Sequence, residues 1–278
     1  MSDPETPIST APSTLHWSGM THVGRFRKNN EDVFLALTYD ACEARYLGKT
    51  GRGDFSTGDF VFAVSDGMGG AKSGEFASKI TVEKITRLMP RAYKLAAQGL
   101  GSGFDEVLNE LCHQVHADLL KLGRSYAECA GMGATLSLAC FSPGWMHFVH
   151  VGDSRIYYLP ASGGMTQLTH DHSHVGWLRR NGKLNEREAR THPAKNVLNQ
   201  ALGAGQQTLR PHLGSVSCHA GDRFLICSDG VIDGLWDARL LEHVTTPSPD
   251  RPKATKIVEL AVSESGRDNC TAIVVELV

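Results

Sequence analysis

The feature that most constrains this 278-residue chain is a series of short strand-like segments with very short connections between some of them. Each segment is rich in β-branched and aromatic residues and is bounded by Gly or Asp, a pattern that predicts β-strands. The segments are 33–37, 60–64, 135–141, 145–151, 155–159, 223–227 and 272–277. Because parallel pairing needs a crossover of about a dozen residues, the short connections predict largely antiparallel sheets.

Two longer segments have apolar residues at three-and-four spacing, which predicts amphipathic helices. They are 75–98, whose apolar residues include Phe76 and Ile80, and 104–122, whose apolar residues include Leu108. We expect both helices to pack on the outer faces of the sheets, because each has one face to bury.

The chain has one segment that predicts a tail and one that predicts a loop. Residues 1–14 are mostly Ser, Thr and Pro with acids, a composition typical of a disordered tail. Residues 50–59 contain three glycines among Thr, Ser and Asp and predict a loop. The composition does not change abruptly between 15 and 278, so we expect a single domain there.

Composition and charge exclude several classes of protein. Hydrophobic residues make up 41% and charged residues 21%, as in soluble globular proteins. The formal net charge of -2 gives no electrostatic reason to expect a nucleic-acid or membrane-surface binder. Seven cysteines without a C-x-x-C pair, and no leader or membrane-spanning run, favour a reduced cytoplasmic protein.

Four aspartates stand at the ends of the strand-like segments. They are Asp66, Asp153 and Asp229, each just after a segment, and Asp268, just before the last one. Any one of them alone is also typical of a turn. If the strand ends converge, however, carboxylates about 4 Å apart repel by roughly 4 kcal/mol per pair at an effective dielectric of about 20. Such a cluster needs protons or cations.

Aspartate oxygens are hard ligands, so the cluster favours Mg²⁺ or Mn²⁺ over Zn²⁺ or Cu²⁺. Two such ions about 3.5–4 Å apart can clamp a phosphoryl group for in-line displacement, which predicts phosphate ester hydrolysis. A further candidate is Arg27, which lies in a segment where cations precede Glu31 and Asp32. That segment is also typical of a solvated loop, but an arginine fork matches phosphate oxygens.

These residues fall in seven ordered blocks that resemble the PP2C-type (PPM) metal-dependent Ser/Thr protein phosphatases in their bacterial form. The blocks are Arg27-x-x-x-Glu31-Asp32; Asp66-Gly67-Met68-Gly69-Gly70 with Gly74-Glu75-x-Ala77-Ser78; Gly133-Ala134-Thr135; Val151-Gly152-Asp153-Ser154-Arg155; Leu168-Thr169-x-Asp171-His172-Ser173; Cys227-Ser228-Asp229-Gly230; and Asp268-Asn269-x-Thr271. They follow the family's order from about His16 to Val278.

The resemblance implies an α+β fold, a four-layer α/β/β/α sandwich with two antiparallel sheets flanked by helices. It also implies two Mn²⁺ or Mg²⁺ ions, and a third in some bacterial members. Asp66 resembles the carboxylate that bridges two ions, the Gly67 carbonyl a ligand of one, and Asp229 and Asp268 ligands of the other. These acids and Arg27 are therefore the expected catalytic residues.

The outer positions follow from the same resemblance. Asp32 resembles a metal position, and Glu31 resembles one that acts mostly through metal-bound water. Asp153, Asp229 and Asp233 resemble the third-ion site. Arg27 resembles the arginine that binds substrate phosphate, and residues 172–203 resemble a flap beside the active site.

The implied function is hydrolysis of phosphoserine and phosphothreonine in proteins by direct attack of metal-bound water or hydroxide. Phosphorylated proteins, a cognate Ser/Thr kinase and a monomeric state are the expected partners and assembly. The sequence departs from the family pattern at Met68, where eukaryotic members have a histidine, and at Ala71, where bacterial members usually have a histidine. Bacterial members share the methionine, and a metal-bound water is the candidate proton donor.

Two other functions stay open from sequence alone. A pseudophosphatase would use the same fold as a phosphoprotein-binding regulatory module, although Asp66, Asp229 and Asp268 are all present. A serine esterase would use Ser154, which sits in a Gly-Asp-Ser sequence, but no histidine base or oxyanion hole is identifiable for it.

Overall fold

The structure is a computed structural model that describes residues 11–40, 43–70, 73–97, 103–205 and 208–278, with side chains described except at 90–97. Residues 1–10 of the predicted tail lie outside this range, as do Ala71 and Gln98, the last residue of the first predicted helix. The first strand begins at Thr14, the last residue of the predicted tail.

The described residues form two antiparallel sheets. The strands are β1 (Thr14–His22), β2 (Asp32–Tyr39), β3 (Ala44–Tyr46), β4 (Thr50–Asp54), β5 (Asp59–Met68), β6 (Gly133–Ala134), β7 (Leu136–Ser142), β8 (Trp145–Val151), β9 (Arg155–Leu159), β10 (Thr166–Gln167), β11 (Leu202–Gly203), β12 (His212–Ser217), β13 (Arg223–Cys227) and β14 (Cys270–Leu277). The first sheet has the order β10-β9-β13-β14-β1-β4. The second has the order β11-β6-β5-β7-β8-β12, and β2 pairs with both β3 and β5.

The helices lie outside the two sheets. They are α1 (Ser73–Ala97), α2 (Phe104–Ser125), α3 (His174–Arg180), α4 (Glu186–Thr191), α5 (Asp229–Gly234), α6 (Asp237–Thr245) and α7 (Lys253–Glu264). Helices α1 and α2 pack on the second sheet, and α7 packs on β1 and β14 of the first. None of the helices in the described ranges is long and apolar enough to cross a bilayer. The predicted order of layers, helix, sheet, sheet and helix, is confirmed.

Alternating side chains on the strands build a separate core between each pair of layers. On β5, Phe62 and Val64 face the core between the two sheets, whereas Val61 and Ala63 face the core beneath α1 and α2. A third core lies between the first sheet and the helices α5 to α7, and includes Ile257. The period of two in the sequence therefore specifies both faces of the central strand.

The loop predicted at 50–59 is wrong in part, because 50–54 form the edge strand β4 and only Phe55–Thr57 make a 3₁₀ turn. The glycines permit this strand because aromatic rings lie directly on its backbone. A Cβ at Gly51 would lie 2.3 Å from the ring of Trp17, and one at Gly53 would lie 2.2 Å from the ring of Phe60. Glycine here makes room for rings rather than for a turn.

Phe76 is a second departure from the predicted pattern. The three-and-four spacing predicts Phe76 on the buried face of α1, but the residue is 45% exposed. The buried face instead carries Ala77, Ile80 and Ile85. Adjacent residues on a helix are about 100° apart, so Phe76 turns away from the sheet that its neighbour Ala77 contacts.

The contact between the ring of Phe60 and Gly53 of β4 gives a stability test. We expect Gly53→Ala to lower the free energy of unfolding by about 1–3 kcal/mol, because the new methyl group would collide with Phe60, which is itself held edge-on by Phe55 at 5.7 Å. Urea unfolding followed by circular dichroism measures the change. Gly48→Ala is the matched control: its nearest atom would be 3.6 Å away, and we expect a change within about 0.5 kcal/mol. Equal losses in both variants would contradict this account.

Candidate metal centre

The fold brings the strand-end acids to one cavity. Asp66 near the end of β5, Asp153 after β8, Asp229 at the start of α5 and Asp268 before β14 all line a cavity of about 430 Å³. Asp32, the first residue of β2, lies directly opposite Asp66 in the antiparallel register and is buried behind it. Both sheets therefore contribute carboxylates to the same end of the sandwich.

The glycine of each Asp-Gly pair permits close backbone packing. A Cβ at Gly67 would lie 1.9 Å from the carbonyl oxygen of Gly74 at the start of α1, and one at Gly230 would lie 1.9 Å from the carbonyl oxygen of Asn269. Gly67 lies within β5 and Gly230 within α5. The turn interpretation of these two pairs is therefore wrong, because the glycines serve to bring two pairs of chain segments together, β5 with α1 and α5 with the residues before β14.

Burial and mutual repulsion disfavour ionisation of these acids. Burial and the neighbouring carboxylates raise the pKa of Asp66 and of Asp229 well above the usual range for aspartate. Burial likewise raises the pKa of Asp32 to about 6 and that of Asp153 to about 7. Near neutral pH the cluster thus holds more negative charge than its surroundings stabilise, and it attracts protons or cations.

The donor atoms fit a hard divalent cation. Oδ1 of Asp32 and Oδ1 of Asp229 are buried without a hydrogen-bond partner, which is unusual for a carboxylate oxygen because burial without a partner costs free energy. All acids of the cluster offer oxygen ligands, as Mg²⁺ and Mn²⁺ prefer. Among the described residues, no three His, Cys, Asp or Glu side chains already stand in an arrangement that could hold an ion.

Two basic side chains of the protein already contact acids at the site. Nη2 of Arg27 lies 2.7 Å from Oδ2 of Asp268, and Nζ of Lys195 lies 2.5 Å from Oδ2 of Asp233. Each carboxylate is thereby turned toward a basic side chain at the edge of the cluster. Asp233 lines a smaller adjoining cavity of about 60 Å³ together with Asp153, Asp229 and Lys195.

Gly67, Glu31 and Arg27 also line the larger cavity, so the structure places every predicted site residue at one cavity or the other except Asp32, which is buried behind Asp66. Burial raises the pKa of Glu31, while Arg27 opposes that rise. The side chain of Arg27 is 49% exposed, so it stands at the mouth of the cavity.

Ser228, which belongs to the block around Asp229, is a positioning residue whose role the sequence pattern does not indicate. Its Oγ donates to Oδ2 of Asp32 at 2.7 Å and accepts from the backbone N–H of Thr271 at 3.0 Å. The hydroxyl thus ties β14 of the first sheet to β2 of the second at the level of the acids. Its place directly before Asp229 is the only feature of the sequence that points to a role for Ser228 at the site.

Asn269 holds the loop that carries Arg27. Its Oδ1 accepts from the backbone N–H of Glu31 at 2.7 Å, and its Nδ2 donates to the carbonyl oxygens of Val23 and Asn29 at 2.8 and 3.0 Å. The side chain therefore fixes both ends of the segment between β1 and β2 against the residue next to Asp268. A sequence pattern shows that Asn269 follows an acid but not what its amide contacts.

Ser154 is unsuited to act as a nucleophile. It is fully buried, and its Oγ lies 2.7 Å from Oγ1 of Thr135, which in turn accepts from the backbone N–H of Asp66 at 3.0 Å. The Gly-Asp-Ser sequence is therefore part of the support behind the acids, and the esterase interpretation has no accessible hydroxyl.

The predicted flap, 172–203, lies beside the acids. An isolated bridge between Ser173 and Leu198 closes its base, and Asn196 and Leu198 line the larger cavity. Beneath the base, Arg155 and Asp171 form a buried two-point ion pair, with Nη2–Oδ2 at 2.7 Å and Nε–Oδ1 at 2.9 Å. The base of the segment is thus fixed to the sheet next to Asp153.

Comparison with known proteins gives one consistent family. The Protein phosphatase 2C model matches residues 49–261. Serine/threonine protein phosphatase PstP of Mycobacterium tuberculosis is 32% identical over 250 residues, which cover 88% of this chain and 46% of PstP, so the chain spans about half the length of that relative. Serine/threonine phosphatase stp of Listeria innocua is 31% identical over 265 residues, or 94% of this chain and 96% of stp.

Solved structures agree with the sequence comparison. The crystal structure of the M. tuberculosis serine/threonine phosphatase PstP/Ppp has a TM-score of 0.75 at 30% identity, covering 95% of this chain and 99% of that one. The catalytic domain of PstP in complex with two manganese ions has a TM-score of 0.70 at 29% identity, with the same coverage. The resemblance inferred from the seven blocks and the fold class that it implied are both confirmed.

The charge cluster predicts an unusual stability change in metal-free protein. Because the pKa of Asp66 is raised in the folded state, its ionised form opposes folding above the ordinary aspartate pKa of about 4. We expect Asp66→Asn to raise the free energy of unfolding by about 1–3 kcal/mol at pH 7.5 in EDTA, and the difference to shrink as the pH falls toward 5.

Thermal and urea unfolding across this pH range measure the effect. Asp250→Asn removes the same charge at an exposed position and should change stability by less than about 0.5 kcal/mol. Added Mn²⁺ should then stabilise the wild type more than Asp66→Asn. If Asp66→Asn is less stable than the wild type in EDTA at pH 7.5, the ionised carboxylate of Asp66 does not oppose folding.

Proposed function

Because the chain belongs to the protein phosphatase 2C family, whose members are metal-dependent, we propose that it hydrolyses phosphoserine and phosphothreonine esters in proteins. The observation that carries the proposal is the convergence of Asp66, Asp153, Asp229 and Asp268 on one open cavity with Arg27 at its mouth. Carboxylates in this number attract divalent cations, and an arginine beside them suits a phosphate dianion.

We assign two principal ions to the carboxylates of Asp66, Asp229 and Asp268 and the carbonyl of Gly67, with Asp32 behind them. A third ion is assigned to Asp153, Asp229 and Asp233. When bound, Mn²⁺ or Mg²⁺ would supply a water of lowered pKa as nucleophile and positive charge for the phosphoryl oxygens. The buried oxygens of Asp32 and Asp229 that lack hydrogen-bond partners support this assignment.

Arg27 is assigned to the substrate phosphate. It pairs with Asp268 at 2.7 Å, so cation binding at Asp268 would free the guanidinium to face a phosphoryl group in the cavity. Two parallel N–H groups can then orient the phosphate. Glu31 lines the same cavity as Arg27 and is assigned a supporting role through bound water.

Met68 lines the same cavity and carries no titratable proton. The proton that the leaving alkoxide requires must therefore come from another group or from water in the cavity. Cations and phosphate would meet between the strand ends and the predicted flap, which contributes Asn196 and Leu198 to the lining of the cavity.

The same proposal covers the extent of the domain, its assembly state, its partners and its location. We assign residues 15–278 to one phosphatase domain that acts as a monomer on phosphorylated proteins and opposes a Ser/Thr kinase. We place it in the cytoplasm, because six described cysteines are free and buried, as is typical of proteins in reducing compartments. Residues 172–203 would cover part of the bound phosphopeptide.

The proposed function predicts metal-dependent hydrolysis. We expect the protein to hydrolyse p-nitrophenyl phosphate and a phosphothreonine peptide with Mn²⁺, and EDTA to abolish both activities. Asp229→Asn should lower kcat by at least about 100-fold, since it removes a ligand and a charge that no neighbour replaces. Asp250→Asn, at an exposed position, should retain wild-type rates.

Each alternative gives a different result in the same assay. Metal-independent turnover would exclude the ion-based mechanism. A protein that binds Mn²⁺ and phosphopeptide tightly but does not hydrolyse the peptide would be a pseudophosphatase. Ester hydrolysis lost in Ser154→Ala but retained in Asp229→Asn would support the esterase instead.

Arg27 has a separate kinetic prediction. We expect Arg27→Ala to raise KM by about 10-fold or more and to lower kcat less, because the guanidinium binds the phosphate in both the ground state and the transition state. Lys28→Ala, which removes a neighbouring cation that also lines the cavity, is the matched control and should raise KM less. An unchanged KM in Arg27→Ala would remove Arg27 from the phosphate site.

A further inference from the structure

Lys195, a basic side chain of the small cavity, has no role in the proposed reaction. Lys195 lies between α4 and Leu198, within the flap range, and its Nζ is 2.5 Å from Oδ2 of Asp233. Both side chains are only about one-third exposed or less, at 31% and 26%. The lysine therefore extends from the flap into the small cavity rather than into solvent.

The surroundings of this pair are acidic. Asp153, Asp229 and Asp233 line the small cavity together with Lys195. Three arginines also line it, and each has another acidic partner: Arg155 pairs with Asp171, Arg179 with Asp237 and Arg190 with Glu186. Among the described residues, Lys195 is the cation that pairs with one of these three carboxylates.

The helix that carries Asp233 gives the pair its geometry. Asp229 and Asp233 are four residues apart on α5, so their side chains lie on one face of the helix. A cation that contacts Asp233 in the small cavity thus stands beside Asp229 as well. A divalent cation bound by Asp153, Asp229 and Asp233 needs an oxygen of the carboxylate that Lys195 now contacts.

We propose that Lys195 is a resident cation that occupies the place of a divalent ion at Asp153, Asp229 and Asp233, and that binding of the ion displaces Lys195 and releases the adjoining part of the flap. The proposal rests on the proposed function for the identity of the ion. Competition of this kind is reciprocal: if the lysine weakens ion binding by some factor, the ion weakens the flap contact by the same factor.

Only part of the flap should respond. Helix α4 has its own ties, because Arg190 donates to the carbonyl oxygens of Asp233 and Leu235 and pairs with Glu186. The segment 192–198 carries Lys195 and has its own turn bonds, from Lys195 N–H to the His192 carbonyl and from Val197 N–H to the Ala194 carbonyl. Displacement of Lys195 should therefore loosen this segment and leave α4 in place.

The test measures Mn²⁺ binding without turnover. Free Mn²⁺ is followed by electron paramagnetic resonance as the full chain is titrated up to about 10 mM Mn²⁺. We expect two tight ions and one weaker ion in the wild type. Lys195→Met should tighten the weaker ion about 3- to 10-fold and leave the two tight ions unchanged, as befits loss of a partly exposed ion pair.

Lys183→Met is the matched control. It removes the same charge from the same flap, but Lys183 lies over the ring of Trp177 at 4.6 Å and not against an acid. We expect its three affinities to stay within twofold of the wild type. Equal tightening in the two variants would show a long-range charge effect and overturn the proposal, as would two-ion binding in both the wild type and Lys195→Met.

Hydrogen exchange gives a second readout. Filling the weaker site in the wild type should speed amide exchange in 192–198 at least threefold and leave α4 unchanged. In Lys195→Met this segment should exchange fast with or without the third ion. An ion that slows exchange in 192–198 of the wild type would overturn the proposal.

The same preparations are assayed for p-nitrophenyl phosphate hydrolysis, which separates the two ideas. Normal hydrolysis with no effect of Lys195→Met on the weaker ion rejects the role of Lys195 and leaves the phosphatase intact. Absent hydrolysis with the expected change in ion affinity rejects the phosphatase and leaves the competition between lysine and ion in place.

Discussion

The structure depends on keeping several like charges close together. Folding brings the carboxylates of Asp32, Asp66 and Asp229 into partly or fully buried positions, where burial and neighbouring carboxylates raise the free energy of ionising each of them. Nothing in the hydrophobic cores requires this arrangement, and it opposes stability in the absence of cations. A cluster of buried acids that lowers the stability of the fold needs another reason to be there, and this is the physical argument for assigning the cavity a function.

The repulsion is opposed by backbone contacts that leave no room for a side chain. Gly67 against Gly74 and Gly230 against Asn269 hold the chain segments that carry the acids at van der Waals distance. The hydroxyl of Ser228 then links the two sheets at the same level. Because Asp32 and Asp66 come from one sheet and Asp229 from the other, the alignment of the sheets sets the spacing of the carboxylates.

The sequence predicted the parts of this structure that follow from local pattern. Alternation of apolar residues located β5, and the position of Asp66 beyond it predicted the convergence of acids. The pattern could not predict which cation each acid contacts, because the pair of Lys195 and Asp233 joins residues 38 positions apart. It also misassigned Gly51, since glycine under an aromatic ring and glycine in a turn look alike until the tertiary structure is known.

The buried pair of Arg155 and Asp171 has a consequence for how this protein can vary. Both residues are less than a tenth exposed, so replacing either one alone leaves the opposite charge buried without its partner, at a cost on the order of 3–5 kcal/mol. The two positions can therefore change only in concert. The ion pairs that Arg179 and Arg190 make are more exposed than this one, so the part of 172–203 that carries them can vary more freely while the buried pair next to Asp153 is preserved.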